Sequence, residues 1–529
     1  MPLDTFADVP KLDRLSDYVF HWAKGDPDGE AMALAGNADR WTHDQFAADV
    51  NEHAKALIAA GVEPGDRVAL ISAPNPQFSI LFFAIISIGG IFVGLNPKYQ
   101  RGELAHIITD AEPKLLLGCL EINERNYTDD IAALNEVTAS IEATILLDAP
   151  AARDSFLLAG EGISDERRAA RQASVKPRDA CAIVYTSGST GAPKGAVLHH
   201  QGAVETALAQ LHSGMPRPTR TQNYFPINHV GCLFDVMGTT VVSGGFCVYL
   251  ESFDPKASLG LIYTDQLTLW SGVPTVFQLC LAHPAFDAAK LVSIELIFWG
   301  GAPCARPVIE ALREICPNLT TNYGMTEVVG AITLMSPLAD IDQLSGSVGF
   351  PSPAFEVRRQ HDDGIVPSDD EPAEVQARGN SVLLEYWNNS AATAAAFTPD
   401  GFYKTGDLAT LNPDGSYKIV GRASEMFKSG GYNVYPREVE LALETHPAVA
   451  MAAVFGVPDE LYAEVGFACI VPQAGVSIDD LRAHCRAVLA NYKVPKHFDI
   501  TASPPLLPIG KIDKKALRAN HLKKTEGSL

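Results

Sequence analysis

The chain has 529 residues, 47% hydrophobic and 20% charged, with a formal net charge of −22. That length exceeds one hydrophobic core and that composition excludes a disordered or fibrous protein, so several domains or subdomains are expected. Residues 425–529 hold 12 Lys+Arg and 12 Asp+Glu, against 29 and 51 before them. This argues against general nucleic-acid binding, which needs a basic face, and for two bodies of different character.

Nine cysteines are scattered without a C-x-x-C pair. With no signal-peptide pattern, they read as small core residues in a reducing compartment, the cytoplasm, and not as metal ligands.

In chain order, "THDQFAADVNEHAKALIAAG" (42–61) predicts a helix opened by a Thr cap and closed by Gly, and "RVALIS" (67–72) a strand. "FSILFFAIISIGGIFVGL" (78–95) has 18 residues and no charge, the lower limit for a membrane span. It reads instead as a buried helix from Phe78 to Ile88, broken at Gly89 and Gly90, then a buried strand entering "NPKY". "SAPNP" supplies the helix start. No transmembrane span is expected; peripheral membrane contact stays open. "PKLLLG" (113–118), "ATILLD" (143–148) and "IELIFWGG" (294–301) are further strands.

Strand–helix alternation of this kind predicts an α/β protein with parallel sheets covered on both faces. "SGSVGFPSPAFEVRR" (345–359) and "GIVPSDDEPAEVQARG" (364–379) are turn-rich and alternate with period two, predicting a small β subdomain. The charge-balanced tail predicts helices at "REVELALETH" and "SIDDLRAHCRAVLA" and strands at "MAAVFGVP" and "FACIVP", an α+β piece. The boundary is placed near Arg422–Glu425, dividing 1–423 from 424–529.

"YTSGSTGAPKG" (185–195) packs hydroxyls, glycines and one lysine as a phosphate-holding loop would. A Walker A loop needs G-x-x-x-x-G-K-[ST] between a strand and a helix. Here Pro193 and the glycine after Lys194 break that pattern, and both flanks, "ACAIVY" and "GAVLHH", read as strands. The loop is expected to join two strands.

Six further motifs follow in order: "FPINHVG" (225–231), "WGGAP" (299–303), "NYGMTE" (322–327), "YKTGDLA" (403–409), "GRASEMFKSGGYNVYPREVE" (421–440) and "LPIGKIDKKALR" (507–518). Together with the loop they resemble the ANL adenylate-forming superfamily, which includes acyl-CoA synthetases, peptide-synthetase adenylation domains and firefly luciferase. The resemblance implies a large N-terminal domain of two parallel-type sheets layered with helices, the small β subdomain, and a small mobile C-terminal domain. It also implies the reaction: an acid and ATP give acyl-AMP and pyrophosphate, then the CoA thiol takes the acyl group and AMP leaves.

Under that resemblance, Thr186, Ser187, Gly188, Ser189, Thr190, Gly191 and Lys194 clasp the β- and γ-phosphates. Gly301, Ala302 and Pro303 sandwich adenine with Tyr323; Asn322, Gly324 and Met325 complete the nucleotide site, and Thr326 reaches the α-phosphate. Glu327 binds Mg²⁺, a hard cation suited to one carboxylate plus phosphate oxygens. Asp407 accepts the ribose hydroxyls, Arg422 contacts ribose and phosphate, and Lys511 is the catalytic lysine of adenylation. His229 gates an acyl pocket formed with Val230, Gly231, Trp299 and Gly324; the Trp299 indole either shortens that pocket or packs as core. Asp235, in the helix after His229, either touches a polar substrate or, the commoner fate, faces solvent.

For the second half-reaction the resemblance implies that the small domain swings about a hinge at Ser424, where the family usually has Asp or Lys. Gly430, Gly431 and Tyr432 then line a pantetheine tunnel, and Tyr492, Val494 and Lys496 meet the CoA nucleotide. The leading expectation is an acid–CoA ligase for a medium-chain, alicyclic or aromatic monocarboxylate, or a fatty acid. The alternative is a stand-alone adenylating enzyme that loads a carrier protein. A luciferase-like oxygenase and a non-catalytic nucleotide-binding protein stand further off, and a homodimer stays open.

Overall fold

The computed structural model describes residues 8–186, 193–361, 364–505 and 512–526. The chain forms two compact units, Met1–Val357 with Ala377–Tyr403, and Arg358–Gln376 with Lys404–Leu529.

The first unit is built on three larger sheets, with a two-stranded ribbon at Glu121–Ile122 and Arg125–Asn126. Across the largest, the strands run Glu385–Tyr386, Lys194–His199, Ala180–Thr186, Ile91–Leu95, Arg67–Ile71, Leu115–Gly118 and Ala143–Leu146. The last five are mutually parallel, and the first two are added antiparallel at one edge. A second sheet orders Leu269–Gly272, Leu296–Trp299, Leu319–Met325, Gly330–Leu334 and Phe350–Pro351, again a parallel core with antiparallel strands at one side. The expected pair of parallel-type sheets is present, each with antiparallel strands added at one margin. The third sheet, of four strands from Arg220–Asn223 to Arg40–Thr42, was not expected.

Local chemistry explains the predicted elements. Helix His43–Ala59 starts at a reciprocal cap: Gln45 N–H donates to Thr42 Oγ1 at 3.2 Å, and Thr42 N–H donates to Gln45 Oε1 at 3.0 Å. The uncharged run forms helix Pro76–Ser87, capped by Asn75 Oδ1 accepting from Phe78 N–H at 2.9 Å, and then strand Ile91–Leu95. Gly89 between them sits at φ +82°, which only glycine adopts without strain. Nearly every side chain of this helix is buried, so its uniform hydrophobicity reflects the core. Among the described residues no helix is long and apolar enough to cross a membrane.

In the second unit, Glu356–Gln360, Ala373–Arg378, Tyr403–Leu411 and Tyr417–Arg422 form the small sheet expected from the period-two segments. A second sheet is built on the long hairpin Val449–Asp459 and Ala463–Pro472, with His497–Ile500 parallel to the latter. Helices Pro436–Glu444 and Ile478–Val488 cover it, burying Val439, Leu443, Leu481 and Cys485 against Phe427, Val454 and Ile470.

Candidate functional site

Strands Ala180–Thr186 and Lys194–His199 are antiparallel, with Lys194 opposite Thr186. The two strands expected to flank the loop are thus present as antiparallel neighbours, and a strand, not a helix, starts at the lysine. Ser187, Gly188, Ser189, Thr190 and Gly191 lie outside the described residues. The edge strand Glu385–Tyr386 adds to this hairpin with Tyr386 opposite Ala196. That pairing sets the Tyr386 ring 5.3 Å from Lys194 Nζ, within cation–π reach.

Tyr386 also organises Glu327. Its hydroxyl donates to Glu327 Oε1 at 3.0 Å and lies 3.1 Å from the Tyr403 hydroxyl. With the Tyr386 proton given to the carboxylate, Tyr403 supplies the proton for the bond between the two phenols. Desolvation, followed by the nearby Glu327, holds the Tyr403 pKa far above the ordinary phenol value, so it stays a donor. Neither tyrosine was singled out from the sequence. Tyr403 opens the motif "YKTGDLA", which was its one available signal.

The "NYGMTE" segment ends strand Leu319–Met325 and turns through a short 3₁₀ segment, Thr326–Val328. Leu319, Thr320 and Thr321 are buried, whereas Asn322 to Glu327 keep accessible surface, so the strand emerges as a ledge. Gly324 packs so closely on Gly330 that a Cβ would lie 1.5 Å from the Gly330 carbonyl oxygen. Val329, β-branched, sits at φ +61°, and its N–H closes the turn onto Thr326 O at 3.0 Å. Strain of this kind persists only where the surroundings impose it. Leu383 N–H pins the Glu327 carbonyl at 2.7 Å. Asn322 reaches the "WGGAP" turn: a Cβ on Gly300 would be 2.5 Å from its Oδ1, and Gly301 follows at φ +75° with Ala302 and Pro303 accessible.

His229 is positioned by close backbone packing. A Cβ on Gly94 would lie 2.5 Å from Ile227 O, so only glycine in strand Ile91–Leu95 lets "PINH" pass. His229 Nδ1 accepts from Gly231 N–H at 3.0 Å, which assigns the ring proton to Nε2. A π-helical segment, Gly231–Gly238, follows directly. Val230 is buried. Trp299 is 1% exposed in an apolar cluster with Tyr224, Trp270 and Phe277, so of its two expected fates core packing is the observed one.

Asp235 does not face solvent as expected. Its carboxylate accepts from Gln210 Nε2 at 2.6 Å, and desolvation pushes its pKa up to about 7. The π-helical segment turns it inward, which an α-helical wheel would not reveal.

In the second unit, Asp407 and Arg422 are opposite partners on strands Tyr403–Leu411 and Tyr417–Arg422. Arg422 Nε donates to Asp407 Oδ1 at 3.0 Å; the carboxylate is buried and the guanidinium half exposed. Gly406, at φ +71°, donates its N–H to Glu374 Oε1 at 3.0 Å and turns the chain ahead of Asp407. Ser424 is exposed in the short 3₁₀ segment Ala423–Glu425. Lys511 lies outside the described residues.

Gly430 and Gly431, at φ +59° and +88°, form the two-residue turn of a hairpin in which Ser429 pairs with Tyr432. A type I′ turn alone demands both glycines. The exposed rings of Tyr432 and Tyr492 stack with centroids 4.7 Å apart, and Lys496 Nζ lies 3.3 Å from the Tyr462 ring centroid. Val494 is corrected: its side chain is buried in the unit's core with Phe427 and Val434, leaving only its backbone to a ligand.

The AMP-binding enzyme family matches residues 19–387, and its C-terminal domain matches residues 438–511. A feruloyl-CoA synthase of Amycolatopsis sp is 34% identical, covering 95% of this chain and 98% of its own length. A 3-[(3aS,4S,7aS)-7a-methyl-1,5-dioxo-octahydro-1H-inden-4-yl]propanoyl:CoA ligase of Mycobacterium tuberculosis is 32% identical, covering 92% of this chain and 95% of its own. Among solved structures, ATP-bound MatB from Rhodopseudomonas palustris superposes with a TM-score of 0.84 at 29% identity, covering 96% of this chain and 99% of its own.

Proposed function

This chain belongs to the AMP-binding enzyme family and is an AMP-forming acid–CoA ligase using ATP and CoA, and from that premise we propose the following substrate class and division of labour among its residues. The acid is a monocarboxylate with a bulky apolar tail: medium-chain, alicyclic or aromatic, with a fatty acid as the generic case. A carboxylate is a poor electrophile because oxide cannot leave; transfer of AMP makes a mixed anhydride whose leaving group is a stable phosphate. The protein's task is to hold two anions together and stabilise charge on the α-phosphorus.

The observation that carries this assignment is the arrangement about Tyr386, with Lys194 over its ring and Glu327 on its hydroxyl. Lys194, with Thr186 and the hairpin turn, neutralises the β- and γ-phosphates. Glu327 fits Mg²⁺: one oxygen is held by Tyr386, and among the described residues no protein hydrogen bond occupies the other. Among those residues no group of three or more His, Cys, Asp or Glu could hold a metal, so the remaining ligands would be phosphate oxygens and water. When bound, the cation supplies charge neutralisation on the phosphates.

Tyr323 and the Gly301–Pro303 turn hold adenine, Thr326 meets the α-phosphate, and Asp407 and Arg422 take the ribose and its phosphate. Lys511 delivers an ammonium to the carboxylate and α-phosphate during adenylation, then withdraws through rotation at Ser424, dividing a domain of 1–423 from one of 424–529. His229, Val230, Gly231 and Gly324 border the acyl chain. Gly430, Gly431, Tyr432, Tyr492 and Lys496 receive CoA. The nine cysteines are all unpaired, which supports a reducing compartment, the cytoplasm.

The test is a pyrophosphate-release screen over an acid panel, with and without CoA, on wild type and Lys511→Ala. Acid-dependent release, and thioester formed with free CoA, are expected. The variant is expected to lose adenylation far more than thioesterification of supplied acyl-AMP. Equal losses in both halves would remove Lys511 from its role, and thioester formed only with a holo-carrier protein would replace CoA as acceptor.

A further inference from the structure

Helix Arg101–Ala111, outside the site assembled above, grips the strand pair that carries Lys194. His106 Nε2 lies 3.1 Å from the Pro193 carbonyl oxygen; a carbonyl only accepts, so the ring carries its proton on Nε2 and donates it. One turn on, Asp110 Oδ2 accepts from the Tyr185 hydroxyl at 2.6 Å. The Asp110 carbonyl accepts from Trp387 Nε1 and Asn388 Nδ2, each at 3.0 Å, in the residues directly after Tyr386. Arg67 closes the helix: its guanidinium donates to the Ala111 and Glu112 carbonyls at 2.7 Å and lies over the Trp387 ring.

These contacts leave little play around Lys194. Gly195, next to it, is so closely covered that a Cβ there would be 2.6 Å from Ile183 Cγ2, 3.1 Å from Tyr185 Cζ and 3.3 Å from Trp387 Cβ. Trp387 N–H also donates to the Gly195 carbonyl at 2.7 Å. On the other side of the lysine, Lys194 opposite Thr186 is the last described pair of the two strands. Pro193, one step beyond, has no N–H, so its carbonyl is the one backbone group that can tether it. His106 supplies that tether. Among the described residues no carboxylate pairs with the Lys194 ammonium, so its backbone anchors and the Tyr386 ring set its place.

We propose that His106 is a positioning residue for adenylation: its hydrogen bond to the carbonyl preceding Lys194 fixes where that ammonium meets the terminal phosphates of ATP. This rests on the phosphate role proposed for Lys194 and deepens it. An ammonium is a point charge on a flexible stem, so its worth to a phosphate depends on where the stem begins. A loose Pro193 carbonyl would let that starting point move, and displacements of about 1 Å are costly in a site that works by positioning. The consequence is specific. The β- and γ-phosphates lose a contact, whereas AMP, which lacks them, binds as before. His106 acts through Lys194 and not on the nucleotide itself.

The test is calorimetric titration of the full-length enzyme with MgATP and, separately, with AMP, both without acid. His106→Leu is expected to weaken MgATP about tenfold, as when one charge-assisted contact is loosened, and AMP by less than about twofold. His106→Gln, whose Nε2 reaches about as far as the histidine Nε2, is expected to stay within about threefold of wild type for MgATP. A general packing defect would weaken both nucleotides together and would not respond to the glutamine. Unchanged MgATP binding in His106→Leu, equal loss of AMP and MgATP, or no rescue in His106→Gln would overturn the inference. If His106→Leu does not fold, His106→Asn, whose amide stops short of Pro193, takes its place under the same criteria. Lys194→Met separates the premise from the inference. An unchanged MgATP-to-AMP ratio there removes the phosphate role of Lys194 itself, whereas a shifted ratio with wild-type behaviour in His106→Leu removes His106 alone.

Discussion

Arg422 Nε and Asp407 Oδ1 meet at 3.0 Å across two antiparallel strands, and the buried carboxylate keeps a half-exposed arginine in place. The pair is preorganised because strand register brings the two residues opposite. Arg422→Ala removes both the nucleotide contact proposed for it and the counter-charge of a buried acid. We expect kcat/KM for ATP to fall about a hundredfold and stability by about 1 kcal/mol, the latter small because the arginine is solvent-screened. Arg422→Lys should recover the stability but not the ATP kinetics, because an ammonium does not reproduce the guanidinium geometry. Steady-state ATP kinetics with thermal melts check both.

Tyr386→Phe removes the hydroxyl that orients Glu327 without disturbing the ring beside Lys194. The Mg²⁺ concentration for half-maximal adenylation should rise about tenfold, the equivalent of one charge-assisted hydrogen bond. Tyr403→Phe acts one bond further away and should shift it less. Glu327→Gln should shift it most. Thioesterification of supplied acyl-AMP should not change in the tyrosine variants. An unchanged Mg²⁺ titration in Tyr386→Phe would contradict the assignment.

Asp235 has a pKa raised to about 7 by desolvation, with Gln210 the one opposing influence. The unfolded carboxyl ionises near its ordinary value while the folded one stays protonated. Stability is therefore full below about pH 4 and falls as pH rises toward 7, by about 4 kcal/mol in all. Asp235→Asn abolishes this loss, so it should stabilise the protein at pH 8 and make little difference at pH 4. Denaturant midpoints at the two pH values measure it; equal midpoint differences would contradict the desolvated site.

Lys514 bridges Glu425 at 2.8 Å and Glu440 at 2.7 Å, and Glu440, 3% exposed, also accepts from Val454 N–H at 2.8 Å. Burial alone would lower the Lys514 pKa; Glu440 and then Glu425 outweigh it and hold it above the ordinary lysine value. Its contribution is thus present below about pH 10.5 and lost as pH rises through the raised value. Lys514→Met leaves Glu440 with Arg437 as its remaining cation and should cost about 2 kcal/mol, read from the denaturation midpoint at pH 8.

Much of the scaffold was legible because it rests on short-range rules. The Thr42 cap, the Asn75 start, the glycine break after Ile88 and the alternation of strand and helix each depend on neighbours within a few positions. The strands flanking "YTSGSTGAPKG" followed from the apolar runs on either side of it. The ordered motifs added the chemistry, since seven in one order are a far narrower signal than any single loop.

The sequence by itself thus determined the fold class, the reaction class and the residue types available for phosphate and carboxylate. Tertiary structure alone decided which of them work together. Tyr386 reaches Lys194 and Glu327 because a two-residue strand adds to a hairpin nearly two hundred positions earlier. Asp235 lies beside Gln210 and Gly330 because a helix, a π-helical turn and a strand converge there. Trp299 and Val494 went to the core because their environment, not their motif, set their burial. Periodicity reports which face of an element is apolar. Partner identity and depth depend on how distant elements pack, which no local window contains.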